Sequence, residues 1–496
     1  MIKMKKYFIV NLMMLSFLSA TQAQNFTKSD TLRGSITPER AWWDLNYYDL
    51  NIKVQPDKEF IAGYNIIRYK VLEESDVIQI DLQKPMKIDA VSQDKEELNY
   101  SSYGNAHFIH LKKKQVPGEF NKLYVQYSGY PKKAVRAPWD GGFSWKKDSN
   151  GKPFVATSCQ GLGASVWWPN KDHMYDEVDS MRIAIDVPKD LVAVANGKLR
   201  EEYVYEFGGY KLYDWFVSNP INNYGVNVNI GDYVHFGEKY EGEKGTLDLD
   251  YYVLKDNLGK AKAQYKKVPM MIEAYELWCG RYPYYEDSFK LVEVPYLGME
   301  HQSSVTYGNQ YKNGYLGNDL SDSGWGLKFD FIIIHEAGHE WFANNITYKD
   351  IADMWIHEGF TAYSENLYLD YHFGKKASAE YVIGTRAKIM NDKPIIGTYN
   401  VNSRGSSDMY YKGANMLHTL RQLIEDDELW RKTLRGLNQE FYHQTVTTEQ
   451  IENYISKKTK KDLSAFFNQY LRTTMIPKLE YKFEGNSITY RYVDIV

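Results

Sequence analysis

The sequence predicts a multidomain protein with an all-β domain, followed by a mainly helical domain that contains a small sheet. The chain has 496 residues, which is too long for one compact core. From about residue 40 to 235, apolar and polar residues alternate, and Gly, Pro, Asn and Asp interrupt the alternation at regular intervals. Beyond this region the apolar residues recur three and four positions apart, which is typical of amphipathic helices.

Residues 1–23 have the layout of a secretory signal peptide, with a basic start, an apolar run and small residues up to Ala23. The apolar run is shorter than the ~20 residues that a membrane-spanning helix needs, and no later segment is apolar enough to span. We therefore expect cleavage near Ala23 and export to the periplasm or the extracellular space, without a stable membrane span. A retained N-terminal anchor is the alternative interpretation.

The β domain is predicted over residues 24–235 and the helical domain over residues 236–477. Residues 478–496 alternate again, and they are predicted to begin a C-terminal β segment. Within the helical domain, Thr447 and Gln450 have the spacing of a capping box, which predicts the start of a helix.

The charge balance argues against one class of partner. The chain has 60 Lys and Arg against 64 Asp and Glu, a net charge of -4, and it has no basic stripe. Nucleic acid is therefore not an expected partner. Cys159 and Cys279 are too few for a disulfide framework, and whether they pair stays open at this point.

The segment "FIIIHEAGHEWFA" predicts a metal site on a buried helix. His335 and His339 are four residues apart, so a helix places both imidazoles on one face, where they can share a tetrahedral Zn²⁺. Glu336 lies beside His335, where it is well placed to take a proton from a water that the metal activates. A catalytic zinc usually has three protein ligands and one open position, so a third ligand is expected further along.

The predicted third ligand is Glu358 in "DMWIHEGFTAYSENLYLD", with eighteen residues between His339 and Glu358. His357 and Glu365 are competing candidates. Glu365 lies two turns further along this helix, and it could instead support a ligand or pair with a surface cation. Two histidines at this spacing also occur in ordinary buried helices, so the combination with Glu358 is the specific signal.

These two segments resemble the M1 family of zinc aminopeptidases, the gluzincins that include aminopeptidase N and leukotriene A4 hydrolase. "HEAGHEWFANN" and "MWIHEGFTAYSE" are similar to the family's zinc signature, HExxH followed after eighteen residues by Glu. Thermolysin-type endopeptidases use a similar pair of helices with slightly different spacing. The resemblance runs from about residue 40 to 475, and it implies a saddle-like β sandwich followed by a thermolysin-like zinc peptidase domain.

Three further stretches carry the resemblance. "YLGMEHQ" is similar to the exopeptidase motif Gly-x-Met-Glu-Asn, which implies that Glu300 binds the substrate's free α-amine beside Gly298 and Met299. "MYYKGANML" resembles the Tyr-x-Lys-Gly motif, which implies that Tyr410 holds the oxyanion. In "VATSCQGLG", Gln160 matches a residue that the family's β domain contributes to the amine pocket.

The sequence departs from the family at two positions of the exopeptidase motif. Leu297 replaces the usual Gly, and His301 replaces the usual Asn. Because Gly lets a backbone approach the substrate closely, Leu297 is expected to reshape the peptide cleft, whereas the intact Glu300 should preserve amine recognition. The sequence also lacks the large helical C-terminal domain of many members, so it is either a short form or truncated within a further β domain.

The resemblance implies a zinc metallopeptidase that hydrolyses the N-terminal peptide bond of oligopeptides with a free N-terminus. One Zn²⁺ per chain would activate a water, Glu336 would move the proton, and Tyr410 would stabilise the oxyanion. Two alternatives stay open: a zinc endopeptidase, and a non-catalytic relative that binds peptides.

Overall fold

A computed structural model describes residues 25–496, so the predicted signal peptide over residues 1–23 lies outside the described residues. Two short helices come first, α1 (Lys28–Gly34) and α2 (Pro38–Ala41). A capping box begins α1, because the Thr27 hydroxyl accepts from the Asp30 amide and the Asp30 carboxylate accepts from the Thr27 amide. Within residues 25–496, no helix combines the length and the apolar character needed to cross a membrane.

An all-β domain follows, as the alternating pattern predicts. Its strands are β1 (Trp43–Gln55), β2 (Phe60–Val71), β3 (Ser75–Asp81), β4 (Lys87–Gln93), β5 (Glu96–Glu97), β6 (Asn99–Tyr103), β7 (Ala106–Gln115), β8 (Phe120–Gly129), β9 (Gly142–Lys147), β10 (Pro153–Ser158), β11 (Ser180–Pro188), β12 (Val192–Val194), β13 (Lys198–Val204), β14 (Tyr210–Val217) and β15 (Asn229–Gly231). They form sheets with the orders β13-β14-β11-β1-β2-β8-β4-β5, β12-β15-β10-β9 and β3-β7-β6.

Strand β1 shows why these segments form sheets. Leu50, Ile52 and Val54 are buried in the domain core, whereas Asn51 and Lys53 between them are partly or fully exposed. This period of two matches the alternation of side chains across a strand. In the large sheet β1 pairs in parallel with β11, and its other neighbour β2 is antiparallel.

The chain changes sheet just before Tyr233. Five strands form the small sheet of the helical domain: β16 (Tyr233–Gly242), β17 (Gly245–Leu254), β18 (Phe289–Glu293), β19 (Gly298–Met299) and β20 (Val305–Tyr307). Their order is β16-β17-β18-β20-β19. Residue 236, the predicted start of the helical domain, lies inside β16, which pairs with β17 and not with a strand of the β domain.

The helical domain is built around one long helix. Its helices are α3 (Leu258–Gln264), α4 (Lys267–Cys279), α5 (Phe331–Gly338), α6 (Trp355–Phe373), α7 (Lys375–Thr385), α8 (Tyr411–Ile424), α9 (Asp427–Glu440), α10 (Thr448–Thr459) and α11 (Ser464–Phe467). Helix α6 packs against α4, α5, α7 and α8, and residues 355–369 of it are buried. The predicted order of a β domain followed by a mainly helical domain is confirmed.

Smaller features complete the fold. Strands β21 (Ile346–Tyr348) and β22 (Gln444–Val446) pair in parallel, and β23 (Lys478–Glu484) and β24 (Ser487–Val493) form a hairpin. The capping box predicted at Thr447 and Gln450 is present and begins α10.

Cys159 and Cys279 do not form a disulfide. Both thiols are free and buried. Cys159 lies in the apolar core of the β domain, and Cys279 lies in the separate core of the helical domain.

Candidate active site

Helix α5 carries the two histidines, and its start is fixed by Asp330. The Asp330 carboxylate caps the amides of Ile332 and Ile333 at 3.1 and 3.4 Å. It also accepts hydrogen bonds from the Tyr307 hydroxyl at 2.7 Å and from the Gln264 side chain at 2.6 Å. This buried cap therefore ties the first turn of α5 to β20 and α3.

Side chains from α5 and α6 bring three candidate metal ligands together. His335 Nε2 lies 3.7 Å and His339 Nε2 lies 3.4 Å from Glu358 Oε2. Ligand atoms at roughly 2.0–2.1 Å from a tetrahedral Zn²⁺ are about 3.3–3.4 Å apart, so this set has nearly the required spacing. All three residues are at most 6% exposed. Glu358 Oε2 has no hydrogen-bond partner within residues 25–496, which fits an oxygen that binds a cation.

His335 is oriented by Glu365, the competing candidate for the third ligand. His335 Nδ1 donates to Glu365 Oε1 at 2.8 Å, which leaves Nε2 facing Glu358. The Tyr381 hydroxyl donates to the other oxygen of Glu365 at 2.6 Å. Glu365 therefore holds the imidazole of His335 in place and is not itself part of the ligand set.

His339 is oriented in the same way by neutral partners. Its Nδ1 donates to the Phe342 carbonyl oxygen at 3.1 Å and lies 3.0 Å from the Thr361 hydroxyl. The Phe342 carbonyl is available because the helix ends at Gly338 and residues 340–344 form an irregular turn. Both imidazoles thus present Nε2 to the same point.

His357, the other competing ligand, has partners for both ring nitrogens. Its Nε2 accepts from the Tyr348 amide at 2.8 Å, and its Nδ1 lies 3.4 Å from the Tyr224 hydroxyl. Burial lowers the pKa of His357 well below its usual value, so the ring is neutral. We therefore exclude His357 as a ligand.

The carboxylates make this centre favourable for positive charge. Burial alone would lower the pKa of His335, but Glu358 and Glu365 outweigh burial and hold that pKa well above its usual value. Burial is likewise outweighed at His339, whose pKa is raised by Glu358 and Glu300. A buried site that stabilises positive charge on two imidazoles is electrostatically suited to a divalent cation.

Glu336 lies on the side of α5 that faces the cavity. Burial raises the pKa of its carboxyl to about 7, although His335 and His339 oppose the shift.

Gly298 of β19 packs closely against helix α5. A Cβ built on Gly298 would lie 2.6 Å from Ile332 Cγ2 and 3.3 Å from Glu336 Cγ. A side chain at position 298 would therefore prevent the close approach of β19 to helix α5.

The two departures from the family motif do not reach the cavity. The Leu297 side chain packs against the core of the helical domain, so the expectation that it reshapes the cleft is wrong. His301 is fully buried, with Nδ1 3.4 Å from the Thr306 hydroxyl, and burial lowers its pKa to about 3. Gly298, one position after Leu297, makes a close approach of a different kind, because its neighbours are Ile332 and Glu336 of α5 and the Thr306 carbonyl oxygen of β20.

Glu300 lies beside the candidate metal ligands, and the β domain supplies its partners. Its side chain is 2% exposed. Gln160, in the turn after β10, donates from Nε2 to Glu300 Oε1 at 2.6 Å and to Glu358 Oε1 at 2.9 Å. The Tyr224 hydroxyl donates to Glu300 Oε1 at 3.1 Å. Over residues 25–496, no lysine or arginine forms an ion pair with Glu300.

The loop that follows Glu300 is clamped by the β domain. The β domain donates three hydrogen bonds to this loop: from the Asn196 side chain to the Gln302 carbonyl oxygen at 2.7 Å, from the Gly197 amide to the Ser303 hydroxyl at 2.9 Å, and from the Asn227 side chain to the Ser304 carbonyl oxygen at 3.1 Å. In return, the Gln302 side chain donates to the Pro220 carbonyl oxygen at 2.8 Å. The position of Glu300 therefore depends on how the two domains meet.

Tyr410 lies immediately before α8, with its ring close to His335, one of the candidate metal ligands. Its centroid is 6.1 Å from that of the His335 ring, and the planes are 24° apart. Burial, together with the charge of Glu358, raises the pKa of Tyr410 well above its usual value. The hydroxyl therefore keeps its proton and can donate a hydrogen bond.

All nine site residues predicted from the sequence line one cavity of about 420 Å³ between the two domains. They are Gln160, Gly298, Met299, Glu300, His335, Glu336, His339, Glu358 and Tyr410. Sequence reasoning missed several lining residues that come from loops, among them Trp139, Asp140, Asn402 and Arg404. It also missed Tyr224, which contacts Glu300. Among these residues, only Arg404 could have been suspected from the sequence, because it is a cation six residues before the predicted site residue Tyr410.

Family models match most of both domains. The model described as "Peptidase M1 N-terminal domain" matches residues 45–224. The model described as "Peptidase family M1 domain" matches residues 264–470, which include the candidate metal ligands and Tyr410.

Sequence identity to relatives is low, but the matches extend over most of the chain. The chain is 20% identical over 459 residues to "Probable aminopeptidase 1" of Sulfurisphaera tokodaii, covering 87% of this chain and 54% of that protein. It is 21% identical over 479 residues to leukotriene A-4 hydrolase of Xenopus laevis, covering 90% and 74%. The chain spans about half the length of several relatives that it matches.

Solved structures share the fold. The M1 zinc metallopeptidase from Deinococcus radiodurans superposes with a TM-score of 0.74 at 19% identity, covering 88% of this chain and 95% of that chain. A mutant of that protein bound to a Tyr-Ser-Ala substrate gives a TM-score of 0.75 at 18% identity, covering 88% and 96%. At these identities the similarity concerns the fold.

Proposed function

This chain belongs to peptidase family M1, and we propose that it is a zinc-dependent aminopeptidase that releases N-terminal residues from oligopeptides, with one Zn²⁺ per chain. Relatives named as aminopeptidases support the proposal, as does the tripeptide bound to the mutant metallopeptidase of the same fold. The cavity between the domains holds the candidate metal ligands and Glu300 together.

The observation that carries the proposal is the buried carboxylate of Glu300 beside the ligand set. A buried carboxylate is costly without a positive partner, and its side-chain hydrogen-bond donors, Gln160 and Tyr224, are neutral. The α-ammonium of a peptide supplies the missing charge, whereas an internal stretch of peptide has none to offer. Cleavage is therefore confined to the first peptide bond.

His335, His339 and Glu358 would hold the zinc. When bound, zinc supplies a Lewis acid that polarises the scissile carbonyl and makes a water easier to deprotonate. The Glu336 carboxylate takes the proton from the attacking water and later returns it to the leaving amine.

The remaining residues position the substrate and stabilise charge. The Tyr410 hydroxyl, whose raised pKa keeps it protonated, donates a hydrogen bond to the oxyanion that develops on the scissile carbonyl. Gly298 and Met299 lie beside Glu300 and line the cavity where the first residue of the substrate binds. Gln160 couples amine recognition to the metal centre, because its amide contacts both Glu300 and Glu358.

Peptide pairs that differ only in N-acetylation test this function. The zinc-loaded protein should release the first residue from each free peptide of an N-terminally diverse library, read by mass spectrometry, and should leave the acetylated partners intact. Internal cleavage of acetylated peptides would contradict the proposal and support a zinc endopeptidase. Bound zinc without cleavage of any peptide would support a non-catalytic relative.

The Glu300→Ala variant tests the amine anchor directly. The value of kcat/KM for free peptides should fall at least about thirtyfold, because removing one partner of a buried charge pair costs roughly 2–5 kcal/mol. The zinc content should not change. Glu449→Ala removes an exposed carboxylate at the start of α10 and is the matched control, with wild-type rates expected.

We also propose that the protein is exported. The support is the pattern of residues 1–23, which lie outside the described residues. N-terminal sequencing of the protein recovered outside the cytoplasm should give Gln24 or a residue close to it as the first residue. Recovery of the chain from membranes with Met1 or Ile2 still present would favour a retained anchor.

A further inference from the structure

The lining of the cavity contains several carboxylates and a single arginine, which lies at the exposed rim. Its lining includes the carboxylates of Asp140, Glu300, Glu336 and Glu358. Arg404 is the only lysine or arginine among the lining residues of the described chain. A bound zinc ion would offset part of the negative charge near Glu358. The cavity would then present a negative charge at Glu300 and a positive charge at Arg404.

The backbone around Arg404 is held in place, while its side chain is free. A backbone hydrogen bond of 3.0 Å from Thr398 to Ser403 closes this loop, and the Asn402 side chain donates to the Gly161 carbonyl oxygen of the β domain at 3.3 Å. The Arg404 side chain is exposed, and within residues 25–496 it makes no ion pair and no hydrogen bond. A fixed backbone with an unpaired guanidinium at a cavity rim is suited to an anionic ligand.

We propose that Arg404 binds the C-terminal carboxylate of the substrate, so that the enzyme prefers short peptides with a free C-terminus. This inference rests on the proposed aminopeptidase function, in which Glu300 binds the opposite, ammonium end. The guanidinium fork matches a carboxylate with two parallel hydrogen bonds. The cavity of about 420 Å³ is near the lower end of the roughly 300–1,000 Å³ of ligand pockets, which suits a peptide of a few residues.

A competing role for Arg404 is to support Tyr410. The charge of Arg404 opposes the upward shift that burial and Glu358 impose on the pKa of Tyr410, so the two side chains interact electrostatically. The two roles make different predictions. Support of Tyr410 would affect every substrate, because each one passes through the same oxyanion, whereas carboxylate binding would affect only substrates that carry a carboxylate.

Three substrates with the same first residue separate these roles: a tripeptide X-Gly-Gly, its C-terminal amide, and the p-nitroanilide of X, where X is the residue that the library shows to be released fastest. The zinc-loaded wild type should favour the free acid over the amide. In Arg404→Ala, kcat/KM for the acid should fall about ten- to hundredfold, mostly through KM, as expected for a lost charge-assisted hydrogen bond. The amide and the anilide should stay within about twofold of wild type.

Controls address charge and folding. Arg136→Ala removes an exposed cation from the β-domain loop that carries Trp139 and Asp140, but Arg136 does not line the cavity, and wild-type rates are expected. Arg404→Lys should recover part of the acid preference, since it restores charge without the planar fork. Retained anilide hydrolysis shows that the Arg404→Ala variant is folded.

Two results would overturn the inference. One is an equal loss of activity in Arg404→Ala for the acid, the amide and the anilide, which would place Arg404 in support of Tyr410. The other is a wild type that hydrolyses the acid and the amide equally well. In both cases the aminopeptidase proposal survives. A zinc-loaded wild type that hydrolyses none of the three substrates would overturn the aminopeptidase proposal, and this inference with it.

Discussion

The bottom of the cavity, which includes His335, His339 and Glu358, has its side chains fixed by neighbouring groups. The rim, which includes Trp139 and Arg404, has exposed side chains. At the bottom, His335, His339 and Glu358 are at most 6% exposed, and neighbouring side chains and carbonyls orient both imidazoles. At the rim, Trp139 is 69% exposed, and Arg404 has no partner within the described chain. The bottom is thus fixed before a substrate arrives, whereas the rim side chains can still adapt to what binds.

This difference divides two tasks between the regions. Residues held by several hydrogen bonds can keep reacting atoms in one geometry, which chemistry requires. Exposed loop residues can contact different substrates without disturbing that geometry. Substitutions at the bottom should therefore change the metal or the turnover, and substitutions at the rim should change KM.

The largest effect is expected for Glu336→Gln at the bottom of the cavity. The amide has nearly the same shape but cannot accept the proton, so kcat should fall by about 10²–10⁴-fold. The zinc content, measured by elemental analysis, should equal that of wild type because Glu336 is not among the ligands. Near-normal turnover in this variant would disprove the proposed role of Glu336.

A smaller effect is expected for Glu365→Gln, which changes only the support of a ligand. His335 would lose the carboxylate that fixes its ring, so zinc affinity should fall about 10–100-fold in a competition with a chelator. Tyr381→Phe removes one hydrogen bond to Glu365, so its zinc affinity should lie between those of Glu365→Gln and wild type. Unchanged zinc affinity in Glu365→Gln would mean that the ring of His335 is held by packing alone.

A third variant, Gly298→Ala, tests how tightly the bottom is packed. The new methyl group would meet Ile332 Cγ2 at 2.6 Å and the Thr306 carbonyl oxygen at 3.1 Å. The free energy of unfolding should fall by about 1–3 kcal/mol in chemical denaturation. Gly259→Ala is the control, since a Cβ there meets nothing within 4 Å, and a neutral or slightly stabilising change is expected. Equal stability of both variants would show that β19 can move away from α5.

The smallest effect is expected at the rim, for Trp139→Ala. Trp139 is exposed and lines the cavity, and an aromatic contact is worth about 0.5–1.5 kcal/mol, so KM for peptides should rise about two- to tenfold. The value of kcat and the zinc content should not change. A loss of kcat comparable to that of Glu336→Gln would remove the distinction between rim and bottom.

The residues at the bottom of the cavity could be predicted from the sequence, whereas those at the rim could not. The spacing of His335 and His339 is a property of one helix, so it can be read locally, and the second segment identifies Glu358. Tyr224 lies 76 residues before its partner Glu300, in a chain with 43 tyrosines, and nothing local distinguishes it. Rim residues such as Trp139 come from loops that reach the cavity only through the docking of the two domains.

The strands of the fold could be predicted from the sequence, but their arrangement in sheets could not. Alternation identifies strands, but it does not say which sheet a strand joins. Strands β16 and β17 alternate like those of the β domain, yet they pair with each other, and β17 pairs with β18 in the other sheet. Excluding His357 as a ligand also required the structure, because its two ring nitrogens are occupied by Tyr348 and Tyr224 from outside α6.

The clamp between the β domain and the loop after Glu300 has a consequence for what the helical domain can do by itself. The candidate metal ligands all belong to the helical domain, whereas Gln160 and the hydrogen bonds from Asn196 and Asn227 come from the β domain. Without docking, the helical domain would keep Glu300 but would lose the hydrogen bonds from Gln160 and Tyr224 that hold its carboxylate. Under the proposed function, selectivity for free N-termini therefore depends on the docking of the two domains, and not on the helical domain alone.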